Sequence, residues 1–163
     1  MVVHPTLPVK TLPELMAHAK ANPGKLSYAG SSPGTAQHLG WQLIKHQTGT
    51  DMQYVPYRGT GALMPDLLVG RLQAGIDNVA ILTLYIKSGQ LRGIAVTGTT
   101  RSALLPELPT VAASGVPGFQ AMGWFGVFAP AQTASGRAGC VAGCCARSHG
   151  LRRHPGQAGR HGR

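Results

Sequence analysis

The sequence predicts an α/β fold in which helices flank a mostly parallel sheet. Short apolar segments of strand character alternate through residues 1–133 with segments whose apolar side chains recur every three or four positions. Strands that are separated by helices need crossover connections, which place them parallel to one another. A chain of 163 residues with 43% hydrophobic side chains is also long enough for one domain with a substantial core.

The first helix and strand are predicted between residues 11 and 29. Thr11 and Glu14 have capping-box spacing, with Thr11 as N-cap and Glu14 reaching back from the third helical position. The apolar stripe that follows consists of Leu12, Leu15, Met16 and Ala19. Pro23 and Gly24 end the helix, and Lys25–Ala29 is predicted to be a strand.

The middle of the chain continues this alternation. The loop Gly30–Thr35 leads into a helix over 36–49, in which we expect three side chains to face inward: Leu39, Leu43 and Ile44. Met52–Tyr57 is rich in strand-forming residues, and Leu63–Val69 is predicted to be a brief helix. Pro65 fits that helix only within its first turn, because proline has no backbone N–H.

Three further strands and one helix complete the predicted order. Leu72–Ile76 is a strand that ends at Asp77 and Asn78, and Val79–Lys87 is a helix. Leu91–Thr97 and Trp124–Phe128 are apolar strands separated by a loop region rich in proline and glycine.

Charge is distributed unevenly on either side of residue 133. The net charge is +10, but residues 1–133 carry nine basic and five acidic side chains. Residues 134–163 carry six arginines, no acid, all three cysteines and three of the seven histidines. This mixture is typical of GC-rich DNA translated out of frame, and we expect the tail to be disordered.

The loop Gly30–Thr35 is the most informative candidate site. It follows a strand and opens a helix, at the sheet edge where open α/β folds bind ligands. Its small residues allow close backbone approach, and the hydroxyls of Ser31, Ser32 and Thr35 join the free N–H groups of the helix start. Such a loop can cradle a carboxylate, or it can be a glycine turn with Thr35 as N-cap.

Other polar residues follow neighbouring strands. Asp77 and Asn78 could bind an amino or hydroxyl group of a ligand, or cap the next helix. Arg58, beside Tyr57, could pair with a carboxylate or remain a solvated surface arginine. His38, one turn into the second helix, could help to bind a ligand or be structural.

Several other functions are disfavoured by the sequence. Five acidic residues and no convincing Ser/His/Asp set argue against an enzyme. No apolar run approaches the ~18–20 residues of a membrane span, and we see no secretory signal. The tail cysteines lack zinc-site spacing, and the tail has no aromatic residue to stack on a base. We therefore expect no cofactor, no metal, no nucleic-acid partner and no membrane insertion.

Residues 2 to about 133 resemble the substrate-binding receptors of tripartite tricarboxylate transporters, the Bug or TctC-like family. The matching segments occur in the family's order: Lys10–Leu15, Ala21–Tyr28, Gly30–His38, Val55–Gly59, Asp77–Asn78, Gly89–Arg92, Ala95–Thr97, Arg101 with Leu105–Val111, Gly115–Phe119 and Trp124–Pro130.

The resemblance implies one lobe of a two-lobed periplasmic-binding-protein fold of the Venus-flytrap type, which closes on a small carboxylate. It implies a di- or tricarboxylate or an acidic amino acid as ligand, and the transporter's membrane permease subunits as partners. The positions carried over as ligand-binding are Ser31, Ser32, Gly34, Thr35, His38, Asp77 and Asn78.

The departures from the family suggest a defective fragment. We expect residues 1–123 to form the second lobe, 124–133 to be a strand crossing toward an absent first lobe, and 134–163 to be an out-of-frame tail. The family is periplasmic, whereas a chain without a signal peptide would stay in the cytoplasm. The alternatives are a stand-alone anion-binding domain or enzyme that uses the Gly30–Thr35 loop, and nucleic-acid binding through the basic tail.

Overall fold

The structure is a computed structural model that describes residues 1–123 together with residues 130, 133, 139 and 140. The chain divides into two units, Met1–Trp124 and Phe125–Arg163. In the second unit, the Thr133 N–H donates a hydrogen bond of 2.9 Å to the Pro130 carbonyl, and Cys140 is exposed. The predicted strand Trp124–Phe128 and nearly all of the basic tail lie outside the described residues.

Strands and helices alternate through the first unit. The strands are β1 (Val2–Val3), β2 (Ser27–Gly30), β3 (Gln53–Pro56), β4 (Ala74–Gly75) and β5 (Arg92–Gly93). The helices are α1 (Leu12–Ala21), α2 (Ala36–Thr48), α3 (Thr60–Leu68) and α4 (Val79–Lys87), followed by a 3₁₀ turn at Ala112–Ser114. The predicted α/β class is confirmed.

The five strands form one sheet in the order β3-β2-β4-β1-β5. β2 lies between β3 and β4 and is parallel to both, whereas β1 is antiparallel to both β4 and β5. Four strands therefore run in one direction and β1 runs against them. β1 was not predicted, because two valines before His4 and Pro5 are too short a segment to indicate a strand.

Hydrophobic clusters cover both faces of the sheet. Trp41 and Tyr28 belong to a large cluster that includes the buried side of α1, whereas Ala29 belongs to a second cluster with Leu63 of α3 and Leu82 of α4. Because neighbouring strand residues point to opposite faces, Tyr28 and Ala29 anchor different clusters. The sheet is thus sandwiched between α1 and α2 on one face and α3 and α4 on the other.

The predicted strand Leu91–Thr97 is divided between two partners. Arg92 and Gly93 pair with β1, which offers only two residues. Farther along, the Val96 N–H donates to the Pro109 carbonyl, and the Val111 N–H donates to the Val96 carbonyl, each at 2.9 Å. The segment is buried as expected, but it is not one continuous strand.

Two expectations about helices were wrong. α3 begins at Thr60, so Pro65 lies beyond its first turn; the carbonyl left without its N–H partner belongs to exposed Gly61, where water can hydrate it. In α2, Ile44 is buried, but Leu39 and Leu43 are 56% and 37% exposed. The apolar stripe of α2 is wider than the surface against which the helix packs.

The predicted N-terminal cap of α1 forms, but the Glu14 side chain bonds to Lys10 instead of Thr11. Thr11 Oγ1 accepts the Glu14 N–H at 3.4 Å, as expected of an N-cap. The Glu14 carboxylate reaches back to the Lys10 N–H, at 2.7 Å. That hydrogen bond is the main reason why the pKa of Glu14 lies below its ordinary value.

Truncating a core leucine should destabilise the fold far more than truncating an exposed one. Leu15 is fully buried in the larger cluster, whereas Leu84 on α4 is 71% exposed. We expect Leu15→Ala to lower the free energy of unfolding by about 2–5 kcal/mol. Leu84→Ala, the matched control, should change it by less than about 0.5 kcal/mol. Denaturant unfolding checks both, and equal losses would contradict the core assignment.

Glu14 should make stability depend on pH in the acid range. Because its pKa is lowered by folding, its contribution is complete above the ordinary carboxyl pKa and is lost as pH falls through the lowered value. Glu14→Gln should therefore unfold at a lower temperature than the parent near pH ~7. The difference should shrink toward pH ~3, as thermal unfolding at both values will test. A difference independent of pH would show that the carboxylate charge contributes nothing.

Candidate functional site

The candidate site lies where three neighbouring parallel strands end. The register pairs Gly30 of β2 with Pro56 of β3, and Ala29 of β2 with Gly75 of β4. The residues that follow these strands therefore emerge along one edge of the sheet. The Gly30–Thr35 loop, Tyr57 with Arg58, and Asp77 with Asn78 occupy this edge, as the sequence predicted.

The Gly30–Thr35 loop is held by hydrogen bonds within itself and to β3. Thr35 is the N-cap of α2, since its Oγ1 accepts the His38 N–H at 3.5 Å. The same hydroxyl donates to the Ser32 carbonyl at 2.8 Å. From β3, the Tyr54 hydroxyl donates to the Ser31 carbonyl at 2.6 Å. The loop is thus fixed at both ends and exposed in its middle, at Ser32, Pro33 and Gly34.

The structure favours glycine at both Gly30 and Gly34, for different reasons. A Cβ on Gly30 would lie 3.1 Å from the His38 backbone nitrogen, so the start of α2 approaches the strand end closely. Gly34 has a φ of +84°, in the region that disfavours side chains. At the start of α2, the N–H groups of half-buried Ala36 and Gln37 have no hydrogen-bond partner among the described residues.

Asn78 and Asp77 both make local contacts. Asn78 Oδ1 accepts the Ala80 N–H at 3.1 Å, so Asn78 is the N-cap of α4. Asp77 Oδ1 accepts the Asn78 N–H at 2.7 Å, while its Oδ2 is buried with no hydrogen-bond partner among the described residues. Burial lowers the pKa of the Met1 α-amino group to about 5. Attraction to the Asp77 carboxylate acts in the opposite direction and raises that pKa.

The side chains of Tyr57 and Arg58 lie in different surroundings. The Tyr57 hydroxyl donates to Asp66 Oδ2 at 2.7 Å, and Arg71 pairs with the other Asp66 oxygen at 3.0 Å. Burial, reinforced by that hydrogen bond, raises the pKa of Tyr57 to about 12, so it stays a neutral donor. Arg58 is exposed at the end of β3.

His38 lies beneath the loop and is engaged on both ring nitrogens. Its Nδ1 accepts the Gly34 N–H at 3.2 Å, and its Nε2 lies 3.2 Å from the side-chain amide of Gln42. The ring packs against Tyr54, with centroids 4.4 Å apart.

Sequence reasoning missed the aromatic support below the loop. Tyr54 packs on both His38 and Tyr28, and Tyr28 in turn packs on buried Trp41. The available signal was the strand register, because Tyr54 lies two residues before the strand end that pairs with Gly30. Tyrosine at that position can reach the loop backbone with its hydroxyl.

Within the described residues, no cluster of three or more His, Cys, Asp or Glu side chains could hold a metal ion. Likewise, none of the helices in the described part combines the length and apolar character needed to cross a bilayer.

Comparison with known proteins identifies relatives of this chain. Residues 1–137 match the model of the TctC family, the tripartite tricarboxylate transporter family receptor. The chain is 38% identical over 133 residues to Protein BugT of Bordetella pertussis. The matched segment covers 82% of this chain and 41% of BugT.

Solved structures agree with this match. The R. palustris protein Rpa4515 with adipate is 34% identical, has a TM-score of 0.84 and covers 89% of this chain and 48% of its own. MatC from Rhodopseudomonas palustris with bound malate shares the fold, with a TM-score of 0.80 at 23% identity and 50% of its chain covered.

These comparisons confirm the resemblance seen in the sequence. The chain spans about half the length of these relatives, or less. Its fold is that of periplasmic binding proteins, among them BugD, whose structure is 33% identical with a TM-score of 0.69 over 73% of this chain and 40% of BugD. The chain belongs to the receptor family of the tripartite tricarboxylate transporters.

Proposed function

We propose that this chain contributes one side of the ligand site of a solute receptor that captures a small dicarboxylate and presents it to the transporter's permease subunits. One observation carries the proposal. The Gly30–Thr35 loop, exposed at Ser32–Gly34, leads into α2, whose first N–H groups have no hydrogen-bond partner among the described residues; the chain is 34% identical to a protein solved with adipate.

The chemistry of this loop suits a carboxylate. The N–H groups of Ala36 and Gln37 lie at the positive end of the α2 dipole and can donate to carboxylate oxygens. The Ser31 hydroxyl adds a donor on the strand side, whereas the Ser32 hydroxyl donates to the Tyr57 carbonyl at 3.5 Å. Arg58, exposed at the end of β3, is available for a bidentate ion pair with a second carboxylate.

The other candidate residues shape the site. Thr35 and Asn78 cap the two helices that start at this edge, and Gly34 makes the turn that leads into α2. Asp77 keeps one oxygen on the Asn78 N–H. A change in its side-chain rotamer would let it accept from a hydroxyl or ammonium group of a substituted dicarboxylate.

Binding by this chain alone should be weak. Periplasmic binding proteins bury a ligand between two lobes, whereas the described site contributes donors from one sheet edge. We therefore expect a dissociation constant of about 1 mM or weaker for adipate. We also propose a periplasmic location and delivery of the ligand to permease subunits, because the chain belongs to this receptor family.

Removing one donor should weaken adipate binding measurably. We expect Ser31→Ala to reduce affinity roughly tenfold, the value of one hydrogen bond to a charged group. The measurement is an NMR titration of the whole chain with adipate, followed at the amides of Ala36 and Gln37. Ser88→Ala, at the far end of α4, is the matched control and should leave affinity unchanged.

A pair of charge-removing variants tests the second carboxylate. Arg58→Gln should weaken adipate binding and remove most of its dependence on salt, because an exposed ion pair is screened. Lys87→Gln, which removes the same charge from the exposed last turn of α4, is the matched control and should do neither. If adipate perturbs no amide of the loop, or if Arg58→Gln and Lys87→Gln behave alike, the proposed site is wrong.

A further inference from the structure

We propose that a groove beside α2 holds an alkyl branch of the ligand, so that the site takes dicarboxylates with an aliphatic substituent next to one carboxylate. This α2 groove has a volume of about 250 Å³ and is lined by Ala36, Leu39, Gly40 and Leu43 of α2 and by residues 120–122. The inference rests on the proposed function, because the carboxylate bound at the start of α2 directs the branch into the groove.

One wall of the α2 groove is the part of the α2 apolar stripe that the core leaves uncovered. The four lining residues of α2 have the spacing i, i+3, i+4 and i+7, which places them on one face over about two turns. Leu39 and Leu43 on this face are 56% and 37% exposed, and Met122 opposite them is 59% exposed. Scattered apolar side chains on a surface need no explanation, but three around one groove indicate a binding surface.

The opposite wall is a segment that runs close beside α2. A Cβ on Gly40 would lie 3.2 Å from Ala121 Cβ, and a Cβ on Gly123 would lie 3.8 Å from Ala36 Cβ. The segment therefore follows α2 from Gly40 back toward its first residue. The Ala121 N–H donates to the Thr97 carbonyl at 3.1 Å, which ties this wall to the rest of the unit.

The α2 groove and the proposed carboxylate site share Ala36. Ala36 lines the groove, and its N–H has no hydrogen-bond partner among the described residues. A carboxylate that accepts this N–H and that of Gln37 would place its neighbouring carbon at the mouth of the groove. Gln120 carries the one polar side chain among the described lining residues, so an alkyl group would gain from burial there and a charged group would lose hydration.

The groove lies on the side of β2 away from Arg58. A Cβ on Gly40 would lie 3.7 Å from Ile76 Cδ1, and Ile76 directly follows β4. β4 and β3 flank β2 on opposite sides, and Arg58 follows the end of β3. A branch in the groove would therefore leave Arg58 available to the second carboxylate, which is why a branched dicarboxylate suits the site.

The size of the α2 groove favours a small group over a protein partner. A stable protein interface buries about 800 Å² on each partner, far more than a short groove along part of one helix provides. A volume of about 250 Å³ lies just below the range of small-molecule pockets, which is the size expected for a subsite that holds part of a ligand.

The experiment compares succinate with 2-butylsuccinate, which has the same two carboxylates and an added alkyl branch. Both are titrated into the whole chain and followed by NMR at the amides of Ala36 and Gln37. One fully enclosed methylene strengthens binding by about fourfold, and an open groove encloses only part of the branch. We therefore expect 2-butylsuccinate to bind roughly tenfold more tightly than succinate and to shift the methyl signals of Leu39 and Met122.

A matched pair of exposed leucines tests the wall of the groove. Leu39→Gln keeps a good helix former but makes the wall polar, so the advantage of the butyl branch should fall from roughly tenfold to about threefold or less. Leu84→Gln, at the 71% exposed leucine of α4, is the control and should keep the roughly tenfold advantage. Because both leucines are exposed, thermal unfolding of both variants should stay close to that of the parent.

The outcomes separate this inference from the proposed function. Equal affinities for the two ligands in the parent, or an unchanged ratio in Leu39→Gln, would overturn the alkyl subsite and leave the carboxylate site standing. If neither ligand perturbs the amides of Ala36 and Gln37, the proposed function is rejected and the subsite with it. A marked loss of thermal stability in Leu39→Gln, or dissociation of a dimer, would also overturn the subsite, because the chain itself or a second copy would then cover the groove.

Discussion

The parallel pairing of β2 with both β3 and β4 is the constraint on which the candidate site depends. It brings three strand ends to one edge and starts α2 and α4 from that edge. The two hydrophobic clusters hold β2 in this register, since Tyr28 and Ala29 are fully buried on opposite faces. A slip by one residue would exchange these faces, so packing of the core also fixes the position of the loop.

The loop is then shaped by groups that a ligand need not touch. The Tyr54 hydroxyl holds the Ser31 carbonyl, Thr35 caps the helix, and His38 holds the Gly34 N–H. The N–H groups of Ala36 and Gln37 have no hydrogen-bond partner among the described residues. A site whose donors are already oriented loses less conformational entropy when it binds. The aromatic side chains below the loop therefore help to fix the shape of the proposed site.

Residues close together in the sequence predicted much of this edge of the sheet. Features that depend on contacts between distant residues were not predicted. The caps Thr35 and Asn78 depend on residues two or three positions away, and the sequence offered each of them as an alternative to a ligand-binding role. β1 pairs with Arg92–Gly93, about ninety residues away along the chain, and periodicity cannot reveal such a partner. Periodicity also failed to predict that Leu39 is exposed, because an apolar stripe on a helix does not show how much of it packs against other residues.

The central claim is that a carboxylate binds at the Gly30–Thr35 loop, and a crystal structure of the chain grown with adipate tests it most directly. The account predicts one carboxylate group within hydrogen-bond distance of the Ala36 and Gln37 N–H groups, with the Ser31 hydroxyl beside it. Adipate bound elsewhere, with only water at the start of α2, would contradict the account.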